Sequence, residues 1–322
     1  VVNYRATNQN STSYAYFIVG DQANKKVTFN MNGGKLERQL DTGSGWAGKG
    51  NPMSVGHAIS STGVVNQAGG FMNILGSAYL GFGSGAIGEY RMTGGSAYVR
   101  NDVVVGNGAN SVGLVDISGG NFWDQYWVKL GNNASALATW TQSGGVVTGG
   151  HFRVGAIANA RAALYLSGGS MTVYHLNCSN YGRLYVAAET GTKGGLVVTN
   201  GSLTATTVSI FGAGVNSYGG LLQSGGSLAL QGEVNVGGIG ATNALGVLDI
   251  SGGALSMKDW FLLGRGYGNN SGVVTVRDGG VVTIADTALN RMVFAFASQG
   301  PTASTNVLTV ADGGRFLGPV SG

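Results

Sequence analysis

The sequence predicts an all-β fold: a single-stranded parallel β-helix, or β-solenoid, of about 10–11 coils of about 25 residues, with three short strands per coil. Three observations predict it. A glycine-pair phrase recurs at a near-constant interval, a second phrase keeps step with it, and no amphipathic helical period runs for even three turns. Of 322 residues, 60 are glycine and only 3 are proline, and no strict triplet period exists, so the glycine does not signal a collagen helix. A hydrophobic fraction of 43% with a net charge of +4 excludes a disordered chain.

The first phrase reads apolar, any, apolar, polar, Gly-Gly. Its clear copies are YRMTGG (90–95), LVDISGG (114–120), TWTQSGG (139–145), LYLSGG (164–169), LLQSGG (221–226), VLDISGG (247–253) and VTVRDGG (274–280). Weaker copies are FNMNGG (29–34), VVNQAGG (64–70), LVVTNG (196–201) and LTVADGG (308–314). The turn glycines that lead these pairs are Gly69, Gly94, Gly119, Gly144, Gly168, Gly225, Gly252, Gly279 and Gly313. Most intervals are 24–27 residues, and the longer ones place corner insertions near 35–62, 170–195 and 286–305. The second phrase ends in glycine at Gly81, Gly106, Gly131, Gly155, Gly237 and Gly264. LYV followed by Ala187 and VSI followed by Phe211 depart from it.

One coil shows how the elements arise. VLDIS (247–251) alternates apolar and polar, which marks a half-buried strand. Gly252-Gly253 turns the chain, because glycine supplies the positive φ of a tight corner. ALSM (254–257) and DWFLL (259–263) make the second and third strands, and Gly264 opens the loop to the next coil. A unit this small cannot bury its apolar side alone, so copies stack in parallel at a rise of about 4.8 Å. Val, Leu, Ile, Met and Ala then point inward; Ser, Thr, Asn, Asp and Arg point outward. Residues 1–25 read as an amino-terminal extension or contact segment and 26–322 as the solenoid.

The phrases LVDISGG, VLDISGG and LYLSGG, each followed by an apolar strand and the second phrase, resemble the repeats of bacterial autotransporter passengers and related surface β-helix proteins. The resemblance covers about residues 26–318. It implies an exported, secreted or cell-surface rod.

Chemistry is harder to find. The 18 Lys and Arg are scattered, with Lys25-Lys26 the only adjacent pair, so no basic stripe suits nucleic acid. No apolar run is long enough to span a membrane as a helix. Cys178 is alone, which excludes an intramolecular disulfide and reads as a small buried residue. Asp116 and Asp249 share a strand phase but lie five intervals apart, about 24 Å, too far for a catalytic carboxylate pair. Asp278 and Asp312 precede glycine pairs and read as turn residues. His57, His151 and His175 lack metal-ligand spacing, although His151 and His175 are about one coil apart. GSGAIG (83–88) matches a dinucleotide pattern but precedes a strand instead of a helix. Five sequons, from Asn10 to Asn269, leave glycosylation open.

No catalytic, cofactor-binding or metal residue is therefore assigned, and no cofactor is expected. The aromatic cluster Trp123, Tyr126 and Trp127, with Trp260 farther along, marks a contact or glycan surface, or packing under a loop. No capping helix is visible at either terminus, so head-to-tail stacking of copies is expected. The expectation is a non-enzymatic extracellular or cell-surface solenoid that assembles into a filament or fibrous layer, with copies of itself as partners. An adhesin or tailspike-like glycan-binding rod is the alternative; a polysaccharide lyase or hydrolase is the third reading.

Overall fold

A computed structural model describes residues 17–37, 52–174, 182–239, 242–266, 268–285, 292–294 and 305–318. These residues form a parallel β-solenoid, with coils about 25 residues apart, about nine complete turns and no helix. The third strands of successive coils make an eleven-stranded sheet. The first and second strands make a second, larger sheet, bent at the glycine corner. The middle coils show the plan: Val112–Ile117, Asn121–Asp124 and Trp127–Leu130, then Leu137–Gln142, Val146–Gly149 and His151–Val154.

Register explains why a repeat phrase becomes a core. Met92 pairs with Ile117, Ile117 with Gln142, and Gln142 with Leu166, so equivalent positions stack in columns. Strand side chains alternate between faces, so each column is wholly inside or wholly outside. The central inward column runs Tyr90, Val115, Trp140, Leu164, Leu196, Leu221, Leu248 and Val274, all buried. Phe122, Trp140 and Phe152 meet edge to face inside the rod, at 5.4 and 5.5 Å between ring centres.

The glycine pair serves two purposes. In eight pairs the second member, such as Gly95, Gly120 and Gly145, takes the positive φ. The first member does not. A Cβ on Gly94 would sit 2.6 Å from the Ala68 carbonyl oxygen of the previous coil, and one on Gly119 would sit 2.5 Å from that of Thr93. Gly69, Gly94, Gly119, Gly144, Gly168, Gly225 and Gly252 are thus glycine for close approach between coils, and the positive φ expected of them belongs to their neighbours. At the last two corners the pattern shifts. Asp278-Gly279 and Asp312-Gly313 both have positive φ, and Gly280 and Gly314 donate N–H bonds of 2.8 Å to Arg277 and Ala311. That is a type I′ turn with its preferred Asp-Gly pair.

A second glycine column lies inside the first strands at Gly63, Gly88, Gly113, Gly194, Gly219, Gly246 and Gly272, with Ala138 and Ala162 in the same column. Here the strand crosses the end of the third strand, and a Cβ on Gly88 would overlap the Gly81 nitrogen and the Val55 carbonyl oxygen.

The structure differs from the sequence reading in several places. Phe17–Val19 already pairs with Met53–Val55, so the solenoid starts inside the segment read as an extension. The third strand Ser209–Phe211 includes Phe211, and Gly212, with φ of 67°, fills the glycine position of that coil, so Phe211 is no departure. Ala187 is a true departure, with φ of 56°. Gln67, Gln142 and Gln223 point inward, and each amide donates to a carbonyl of the next coil, Ser96, Ser170 or Ala254, at 2.9–3.0 Å. These amides tie corner to corner where aliphatic side chains stand in other coils. The outer face of the first strands is less polar than expected, with Ile87, Leu137, Tyr165, Tyr218 and Leu222 exposed. Segments 38–51, 175–181, 286–291 and 295–304, which hold much of the expected insertions, lie outside the described residues, as do His175 and Cys178.

Candidate functional site

The corner between the second and third strands of the coil at 112–130 concentrates the polar and aromatic chemistry of the rod. Alternation along Asn121–Asp124 sends Asn121 and Trp123 outward and Phe122 and Asp124 inward. Trp123 is 36% and Tyr126 37% exposed. Trp123 pairs in register with Tyr98 of the preceding coil, so two outward aromatics sit one rung apart, about 4.8 Å. The Tyr98 hydroxyl donates to Gln125 Oε1 at 2.7 Å, which holds its ring in place. Burial pushes the Tyr98 phenol above its ordinary pKa, and the Arg100 charge pulls it partly back.

Trp127 is packed instead of presented. Its ring lies 4.1 Å from that of His151, and the Arg153 guanidinium sits 4.6 Å from it. Arg153 also donates to Glu189 Oε1 at 3.0 Å and lies over Tyr185. His151 Nδ1 accepts the Arg183 backbone N–H at 3.1 Å, so this histidine is committed to the fold. His57 stacks on Phe82 with centroids 4.9 Å apart. Trp260 occupies the same column as Trp127, one residue before Phe261 where Trp127 is one residue before Val128, but five coils along, about 24 Å away. The structure therefore brings Trp123 and Tyr126 together with Tyr98, sets Trp127 beneath Arg153, and leaves Trp260 on a separate surface. Tyr98 could have been found from its place in the repeat, exactly one period before Trp123, as its register shows.

Two carboxyls approach this corner. Asp102 pairs with Lys129 Nζ at 2.7 Å. Asp124 is 2% exposed and stands in the inward column between Val99 and Gly149. Burial pushes its carboxyl well above the usual carboxylate range, and the Asp102 charge adds to that. The nearby N–H groups of Gly150 and Tyr126 pull back without making well-formed hydrogen bonds to it. A group whose folded pKa is raised loses stability as pH climbs from its unfolded value, about 4, through the folded one. Asp124→Asn is therefore expected to be more stable than the parent at pH 7, with the advantage vanishing near pH 3. Thermal melts across that range check this, and a parent more stable than the variant at pH 7 contradicts it.

The remaining acids do not converge. Asp116 is exposed, and five rungs separate it from Asp249, which Arg277 holds at 2.9 and 3.1 Å. Among the described residues no group of three metal-ligating side chains occurs. A small interior void beside Met53, Leu80, Val99 and Phe122 is apolar and offers a ligand no polar contact. The corner can therefore stack a ring and exchange hydrogen bonds at its surface, while its one strongly perturbed acid is closed off from solvent. No protein-family model, curated protein or solved structure matches the chain.

Proposed function

We propose that this chain is a non-enzymatic structural protein, an exported or cell-surface solenoid whose copies stack end to end into a filament or fibrous layer. The observation that carries the proposal is the state of the core columns in the first and last described coils. Phe29 and Leu36 at one end, and Leu308 and Phe316 at the other, are only partly buried, while their column neighbours Val65, Met72, Val274 and Val282 are buried almost completely. Among the described residues, Lys26–Met31 and Val307–Val310 also have a strand partner on one side only. In a solenoid the first and last coils carry the same strands in the same direction, so one laid on the other would carry on both the strand ladder and the apolar column. A head-to-tail contact continues both, and repeating it extends without closing. The likeness of the repeat phrases to those of autotransporter passengers supports the extracellular setting.

Electron microscopy and sedimentation of the purified chain over a range of concentrations test this. Filaments are expected from the parent, and shortened or dispersed rods from Phe316→Asp or Leu36→Asp. Dispersed single rods at every concentration, or unaltered filaments from both variants, would sink the proposal.

A further inference from the structure

We infer that the face built by the second strands binds a neutral, linear polysaccharide lying along the rod axis, with Tyr98 and Trp123 as its stacking platform. Two outward columns make up this face. One runs Phe71, Ser96, Asn121, Val146, Ser170, Ser202, Ser227, Ala254 and Val281. The other runs Asn73, Tyr98, Trp123, Thr148, Thr172, Thr204, Ala229, Ser256 and Thr283. Between Phe71 and Thr283 no residue in either column is charged; the flanking rungs carry Lys35 and Glu37 at one end and Arg315 at the other. The neighbouring faces are different: the first strands carry Glu89, Arg91, Asp116, Arg161, Lys193 and Asp249, and the third strands carry Lys129 and Arg153.

Charge decides the ligand class. A nucleic acid or an acidic polysaccharide needs a row of cations to neutralise it; between Phe71 and Thr283 the two columns hold none, and Arg100 and Lys258 stand singly at the corner beside them, in separate coils. The hydroxyls and amides that line it both donate and accept, as sugar hydroxyls do. The flat C–H face of a pyranose packs against an aromatic ring, and Trp123 is exposed for that contact. Tyr98 is pre-positioned by its bond to Gln125, which lowers the ordering cost of binding. Successive rungs repeat the polar groups every 4.8 Å or so along the axis, a pattern that suits an extended polymer better than a compact ligand.

The test is native electrophoresis of the full chain in gels holding hydroxyethyl cellulose, galactomannan or polygalacturonate, at high salt. Retardation is expected in at least one of the two neutral gels. Trp123→Ala should weaken it about tenfold, the scale of one lost aromatic stack. Tyr165→Ala removes an equally exposed ring from the first-strand face and should leave it unchanged. Circular dichroism confirms that both variants keep the parent fold. Migration unaffected by both neutral polymers, retardation by polygalacturonate alone, or full retention in Trp123→Ala would each overturn the inference.

Discussion

Gly88→Ala is expected to destabilise the protein by at least about 3 kcal/mol, while Gly195→Ala leaves stability unchanged or slightly raised. Both glycines lie in first strands of the same sheet. Gly88 faces inward, where an added methyl group would overlap backbone atoms of Gly81, Val55 and Leu80. Those atoms belong to the ladder itself and cannot rotate away. Gly195 faces outward and has nothing within 4 Å of where its Cβ would be. A methyl group there only restricts the unfolded chain, which favours folding by about 0.4–1 kcal/mol. Urea unfolding of the two variants checks the difference; equal effects would mean that the inward column is not where the first strands cross the third.

Trp140→Ala is expected to cost about 3–5 kcal/mol. Its indole is completely buried, and it links Phe122 in the preceding coil to Phe152 across the interior. A solenoid is held by nearest-neighbour contacts, so a cavity in a middle coil should also uncouple the two halves. Unfolding that is a single transition in the parent is then expected to divide into two. Trp123→Ala provides the contrast, since its side chain points outward from the adjacent coil and surface truncations usually stay within about 0.5 kcal/mol. Comparable losses from the two tryptophans would contradict the assignment of inside and outside.

The fold was legible because its main device, the coil, is repeated. One strand phrase is ambiguous, but VLDISGG and LVDISGG at matching phase leave few alternatives to stacking. What glycine does in each place was less legible. Gly94 and Gly95 look alike as letters, yet one is demanded by the carbonyl of the coil beneath and the other by its own φ of 80°. Only the first of these reasons involves a distant part of the chain. A third turn device, left-handed Asn110, Asn159 and Asn216 two residues before their first strands, carried a readable signal, because asparagine tolerates that conformation. The inward glutamines were hidden by their type, since a polar letter at the end of a strand reads as surface until its amide is seen meeting the next coil.

The aromatic corner was legible as a cluster but not as a site. Sequence placed Trp123, Tyr126 and Trp127 together, and the register then separated presentation from packing by putting Arg153 and His151 against Trp127. Asp124 shows what strand alternation already contained: two residues after Phe122, it has to share the inward face. Its meaning depended on burial, which no local pattern reports. The uncharged stretch of the second-strand columns between Phe71 and Thr283 is likewise invisible along the chain, because its residues are scattered through nine coils and meet only when those coils are stacked.

Distances between spin labels on that face test the stacking most directly. With Cys178 replaced by serine, labels are attached through cysteines substituted at Thr148 and Thr204, or at Thr148 and Thr283. The first pair is two rungs apart and the second five, so backbone separations of about 10 Å and about 24 Å are expected. Separations that grow in proportion to rungs support a wound stack. A two-rung pair found more than about 30 Å apart would contradict it, because no label tether spans that gap and no stacked coil allows it.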